Sequence, residues 1–320
     1  MSGGRPQVGY IGPTLALDDV REALGPTIDT VPIAVDADAL RAAVVGLDGL
    51  VEATTRIPLS ADVFAVADRL RIVSVAGTGD AHVDRAAASA RGIEIRTLVE
   101  DRGLLEDLDP TAEHTWGLLL ACARRTREAA AHVLDGGWER ERFPGILLSG
   151  RRLGLVGLGR LGRKVARYAD AFGMDVVAHD PHRDEHWPDH VVPATLEEVF
   201  ATSDVVSVHV PLDPSTAGLI DRRLIELMRA GAMLVNTARG AVIDEDAVAD
   251  AVEAGRLGGV ALDVLRDEPP GPDDRLVALA RRDPRVLITP HLGGFVPEVL
   301  RRVCTHAAHK VRTHLERNGR

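Results

Sequence analysis

Three polar side chains stand where apolar segments of this chain give out: Arg239 in "MLVNTARG", Glu268 in "VALDVLRDEP" and His291 in "VLITPHLGG". Together they are the residue types needed to hold and polarise a carbonyl group and to carry a proton. Taken singly, each has a commoner explanation: a surface arginine, a loop carboxylate, and one turn histidine among the 12 histidines of the sequence. Shared context alters that weighting. All three, and Asp263 with them, follow apolar strands, and open α/β sheets keep their ligands at the carboxyl ends of such strands.

A ligand for these groups is encoded upstream. "GLVGLGRLG" sets Gly157, Gly159 and Gly162 in a G-x-G-x-x-G pattern, after the apolar "RLGLVG" and before a helical stretch carrying Ala166 and Ala169. Gly157 permits a tight turn, Gly159 lets backbone approach a pyrophosphate, and Gly162 lets helix and strand pack closely. The helix N-terminus then offers N–H groups to the phosphates, with Arg160 and Leu161 inside the same loop. At the end of the following strand, "MDVVAHD", Asp180 can accept hydrogen bonds from both ribose hydroxyls and would repel a 2′-phosphate. That favours NAD over NADP, with Arg183 pulling the other way. Thr237 and Ala238, just ahead of Arg239, are read as further cofactor contacts. The glycines alone would imply only a tight turn; strand, spacing and acid together imply a dinucleotide.

The elements that must position these groups alternate along the chain. "QVGYIG", "IDTVPI", "GLVEAT", "RIVSVAG" and "IEIRTL" read as short strands with helices such as "SADVFAVADRL" between them. A second series follows in "GRRLGLVG", "MDVVAHD", "DVVSVHVP", "AMLVNTARG", "GGVALDVL" and "RVLITP". Such alternation predicts α/β architecture with parallel sheets and right-handed crossovers. Between the two series, "LDPTAEHTWGLLLACARRTREAAAHVLDG" reads as one long helix. Asp109 serves as its N-cap, Pro110 sits in its first turn and Gly136 closes it. Trp116, Leu119, Leu120 and Ala123 recur at helical spacing and are read as core packing, with part of the face available to a subunit interface. A last helix, "PEVLRRVCTHAAHKVRTHLER", ends the chain.

Composition bounds the rest. The 320 residues leave room for two domains, and 45% apolar against 27% charged residues is the balance of a globular protein. Aromatics at 3% force a core of Ala, Val, Leu and Ile. A net charge of −10 with no basic arm argues against nucleic-acid binding. Cys122 and Cys304 stand at no metal-ligand spacing, so neither a metal site nor a disulfide framework is expected, and a reducing cytoplasm is. No export signal and no membrane span are legible; the longest apolar run is "TWGLLLACA".

With these motifs in order, the sequence resembles the D-isomer-specific 2-hydroxyacid dehydrogenases. The resemblance rests on "GLVGLGRLG" with Asp180, "NTARGAVIDEDA", "LDVLRDEP" and "TPHLGG", and extends to "VAGTGDAHVD" and "TAEHTWGLLLACAR". It implies two Rossmann-like or flavodoxin-like parallel-sheet domains, the nucleotide-binding one (residues 100–289) inserted into a discontinuous substrate domain (1–99 and 290–320). It implies hydride transfer between NAD(H) and C2 of a small 2-oxo or D-2-hydroxy acid. Arg239 would bind and polarise substrate, His291 would be the proton donor, Glu268 its partner, and Asp263 would face the nicotinamide carboxamide. N–H groups of Gly77, Thr78 and Gly79 would receive the substrate carboxylate, and Arg56 in "ATTRIPLS" a second anionic group. A homodimer is expected. "RGLLEDLDP" stands where these enzymes commonly carry Pro–Gly–Asn, and Phe295 and Pro297 stand where smaller or hydroxylic residues are often found. The same fold also serves as an NAD-sensing corepressor scaffold. A methyltransferase would account for the glycine loop and leave Arg239, Glu268 and His291 unexplained.

Overall fold

A computed structural model describes residues 4–182 and 187–318; Arg183, the expected counterweight to Asp180, lies outside the described residues. The chain divides into two compact units, Met1–Leu108 with Phe295–Arg320, and Asp109–Gly294.

The first unit holds strands β1 (Gln7–Ile11), β2 (Asp29–Ile33), β3 (Gly49–Glu52), β4 (Ile72–Val75) and β5 (Glu94–Arg96). They form one parallel sheet in the order β2-β1-β3-β4-β5. The second unit holds β6 (Arg152–Val156), β7 (Asp175–His179), β8 (Val191–Pro193), β9 (Val205–Val208), β10 (Met233–Asn236), β11 (Gly259–Leu262) and β12 (Val286–Ile288). Their parallel order is β12-β11-β10-β9-β6-β7-β8. Each is an α/β layer structure, and the strands read from the sequence are all present. Only β8 escaped that reading: it is three residues long, pairs on one side only, and contains Pro193, so it lacks the apolar run that marks its neighbours.

Burial on both faces explains the strand sequences. Along β10, Met233 and Val235 enter one core while Leu234 enters the other. Val8 and Tyr10 likewise face one core of the first unit, and Ile11 the other. A strand covered on both sides reads as a continuous apolar run. The last helix, Pro297–Asn318, belongs to the first unit, where Val303, Ala307, Val311 and Leu315 pack on Val8, Val51 and Ile72. Burying a Val or Leu there contributes about 1.5–3 kcal/mol, so both ends of the chain stabilise one core.

The seams fall at 108/109 and 294/295, later than the sequence reading placed them. Leu104, Leu105 and Leu108 pack into the first unit's core, and residues 291–293 are tied by backbone hydrogen bonds to Asp263.

The single long helix expected over 110–136 is two helices, Pro110–Ala123 and Thr126–Leu134. The carbonyl of Ala123 accepts the N–H of Ile146, and Arg125 turns left-handed at φ 52°. A distant segment thus takes the carbonyl that would have continued the helix. Asp109 occupies the N-cap position, but its carboxylate pairs with the buried ammonium of Lys164 and does not cap the helix. Trp116 is buried with Tyr168 and Phe172 edge-on to it, and Leu119 and Ala123 are buried beside it.

Candidate active site

The glycine loop joins β6 to the helix Arg160–Ala171. Gly157 adopts φ +93°, and a Cβ there would come within 2.7 Å of the His209 carbonyl. A Cβ on Gly162 would lie 2.3 Å from the Gly157 carbonyl, while one on Gly159 would meet nothing within 4 Å. Two glycines therefore let the chain pack on itself, and the third leaves open space at the helix N-terminus. That combination fits a pyrophosphate, since a helix N-terminus and its dipole favour an anion there. Asp180, at the end of β7, accepts the N–H of Leu158 at 2.8 Å and that of His182 at 3.0 Å. Its carboxylate is thereby anchored against the glycine loop.

At the end of β10 the buried Asn236 shapes the turn that presents Arg239. Its side chain accepts from Ala238 N–H at 3.0 Å and donates to the Arg239 carbonyl at 2.9 Å. The Thr237 hydroxyl meets that of Thr115, on the helix Pro110–Ala123, at 2.6 Å. Gly240 presses directly on the next strand's loop: a Cβ there would lie 1.9 Å from the Leu265 carbonyl carbon.

The loop after β11 brings Glu268 to His291, whose Nδ1 stands 2.6 Å from Glu268 Oε2. Both side chains remain partly open, His291 40% and Glu268 36% exposed. Leu265 N–H donates to Oε1 at 3.1 Å. Burial pulls the Glu268 carboxyl upward, yet the His291 hydrogen bond and charge, the Leu265 N–H and the nearby Arg239 outweigh it. The carboxyl is held below the usual carboxylate range. Arg239, Glu268 and His291 thus gather at the carboxyl edge of one sheet, at the ends of β10, β11 and β12.

Asp263 directly follows β11. It is 1% exposed and accepts from Leu292 N–H at 2.8 Å, Gly293 N–H at 2.7 Å and the Thr289 hydroxyl at 2.5 Å. His114 Nε2 lies 3.1 Å from it. These contacts tie the side chain to the turn that carries His291, as a buried polar group requires. His114 and Thr115 escaped the sequence reading, because they stand among other polar residues, Thr111 and Glu113, in the first turns of their helix.

The remaining candidates lie in the first unit. Gly77, Thr78 and Gly79 follow β4, and their N–H groups donate to no acceptor among the described residues. Arg56 is exposed in the loop after β3, with no ion-pair partner among the described residues. That loop is built on Glu52, which is almost wholly buried and accepts from Thr54 N–H at 2.7 Å and Thr55 N–H at 2.6 Å. His82 joins Glu52 at 3.0 Å and so ties the segment after β4 to the loop after β3. Among the described residues no group of His, Cys, Asp and Glu could hold a metal ion.

The family model described as D-isomer specific 2-hydroxyacid dehydrogenase, NAD binding domain, matches residues 116–293. D-3-phosphoglycerate dehydrogenase of Mycobacterium tuberculosis is 38% identical over 292 residues, 88% of this chain. The chain belongs to the D-isomer-specific 2-hydroxyacid dehydrogenase family. This family member spans about half the length of the curated relatives it matches, 51% for the mycobacterial enzyme and 44% for its Archaeoglobus fulgidus namesake. The TT0316 protein of Thermus thermophilus superposes with a TM-score of 0.83 at 37% identity, covering 98% of this chain and 97% of the other. NAD-dependent formate dehydrogenase of Staphylococcus aureus, solved in complex with NAD, gives 0.80 at 25% identity, covering 98% and 95%. The seven-stranded unit carries the family's NAD-binding domain, and NAD is the cofactor its glycine cradle fits.

Proposed function

We propose that this dehydrogenase-family chain interconverts a small 2-oxo acid and its D-2-hydroxy acid with NAD(H). The observation that carries the reading is the His291–Glu268 pair at 2.6 Å, beside Arg239, on the sheet edge that also bears the glycine loop. Bound NADH supplies hydride to C2 of the 2-oxo acid. The guanidinium of Arg239 holds the substrate carboxylate and polarises the 2-oxo group, a task suited to a planar, permanently charged fork. With Nδ1 engaged by Glu268, the proton passes to the forming alkoxide from Nε2 of His291. The ionised Glu268 favours the imidazolium and fixes the plane of the ring. Gly157, Gly159, Arg160, Leu161, Gly162, Thr237 and Ala238 line the cofactor path, and Asp180 takes the adenosine ribose. In the first unit, the unengaged N–H groups at Gly77, Thr78 and Gly79 suit a carboxylate.

The exposed Arg56 suits a second negative group, such as a phosphate, phosphonate or extra carboxylate. Relatives named for 3-phosphoglycerate include such a substrate. Arg56→Ala should raise KM for dianionic substrates and leave KM for plain 2-oxo acids unchanged.

Leu134 is 87%, Trp138 85% and Leu147 75% exposed, which supports a homodimer through this segment; light scattering tests it. The two cysteines, both free, accord with a cytoplasmic setting. Oxidation of NADH with a panel of 2-oxo acids tests the whole reading. His291→Ala should slow turnover by about two to four orders of magnitude with NADH affinity retained. Tight NADH binding without turnover across the panel would replace the reading with that of a corepressor-like NAD sensor.

A further inference from the structure

We infer that His114 is a positioning residue for His291, acting through Asp263 and Thr289; the inference rests on the proposed role of His291 as proton donor. His291 adopts φ 55°, a left-handed conformation that non-glycine side chains seldom take. Something must hold it there. The His291 N–H donates to the Asp263 carbonyl at 2.8 Å, and the next two N–H groups, of Leu292 and Gly293, donate to the Asp263 carboxylate. One buried residue therefore fixes the backbone on both sides of the imidazole.

His114 completes that clamp from the helix Pro110–Ala123. Its Nε2 lies 3.1 Å from Asp263 Oδ1 and 3.1 Å from Thr289 Oγ1. The Thr289 hydroxyl has one proton, and it goes to Asp263 Oδ1 at 2.5 Å. Toward His114 both oxygens can only accept, so Nε2 of His114 carries the proton and donates to the pair. The ring thereby holds Asp263 and Thr289 together, one at each end of the segment that turns at His291. Gly293 shows how tight this is, since a Cβ there would lie 3.1 Å from Asp263 Oδ2 and 3.1 Å from Thr111 Cγ2. None of these groups is needed to touch substrate. Their effect on rate comes from where they keep the imidazole.

The test compares wild type, His114→Ala and His114→Gln, because a glutamine amide sets an N–H donor near the place of Nε2. Amide hydrogen exchange at Leu292 and Gly293 is read by NMR, and kcat and NADH affinity are read in parallel. His114→Ala should speed exchange at both amides at least tenfold and lower kcat about ten- to a hundredfold. NADH affinity should stay within about twofold, and His114→Gln should recover most of both effects. Unchanged exchange in His114→Ala, or kcat within twofold of wild type, overturns the inference. So does loss of kcat that glutamine does not rescue in a protein whose exchange is native. The exchange arm needs no turnover. If wild type reduces no acid in the panel, the proposed function fails by that result, while the exchange rates still judge the clamp.

Discussion

Nδ1 of His291 is engaged by Glu268 Oε2 at 2.6 Å, and Nε2 of the same ring has no partner among the described residues. The pair therefore has one nitrogen committed and one available. The Glu268 carboxyl is held below its ordinary range, so it carries a negative charge beside the ring in the neutral region. Glu268→Gln removes that charge. If His291 is the proton donor, reduction needs the protonated ring, and its pH–rate profile should move to lower pH. Profiles of kcat/KM for wild type and variant decide the matter, and superimposable curves would count against the pairing.

Arg239 is held by the turn that Asn236 braces and acts electrostatically on Glu268. Arg239→Lys keeps the charge and loses the fork. If the guanidinium polarises the carbonyl, kcat/KM for the 2-oxo acid should fall about 10²–10³-fold, while the NADH dissociation constant stays near wild type. Retention of more than half the native kcat/KM would remove Arg239 from the reaction.

Asp180 separates two jobs that one substitution can distinguish. Asp180→Asn preserves an acceptor for Leu158 N–H, so the loop stays braced, but the negative charge is gone. NADH affinity should weaken about tenfold and NADPH affinity should rise. Fluorescence titration with the two cofactors gives the ratio; an unaltered ratio would mean that Asp180 is not the ribose discriminator.

In the first unit, Asp101 joins the last helix through Lys310 and through His306 at 2.8 Å. Burial pushes its carboxyl up, but the hydrogen bonds and charges of Lys310 and His306 prevail and hold it low. A depressed carboxylate lends stability that is complete above its ordinary pKa of about 4 and fades as pH falls through the depressed value. Melting temperature should therefore drop as pH falls below about 4. Asp101→Asn should cost about 1–3 kcal/mol at pH 7 and show less of that acid loss. An acid slope equal to wild type would place the sensitivity elsewhere.

The strands and the glycine loop could be read before any coordinates because their causes are local: apolar runs buried on two faces, and a turn that only glycine tolerates. Other features have distant causes. The helix break at Arg125 depends on Ile146 reaching back to Ala123, and nothing in "CARRTRE" announces it. Asp109 has the sequence of a cap, yet Lys164 claims it across 55 residues. The residues behind His291 are the extreme case, since His114 meets Asp263 at a separation of 149 and Thr289 at 175. Reactive groups can be guessed from their own chemistry, whereas the groups that aim them are visible only once the chain has closed on itself.

Gly240 carries a last consequence. With backbone of the 265–266 segment in the space where a side chain would start, the guanidinium of Arg239 and the carboxylate beside His291 ride on abutting main chain. Neither can be re-aimed alone. On the proposed function, a descendant of this chain adapting to a bulkier acid would have to keep that block rigid and find its new room in the outlying loops, so substrate range and proton-transfer geometry are free to evolve at different speeds.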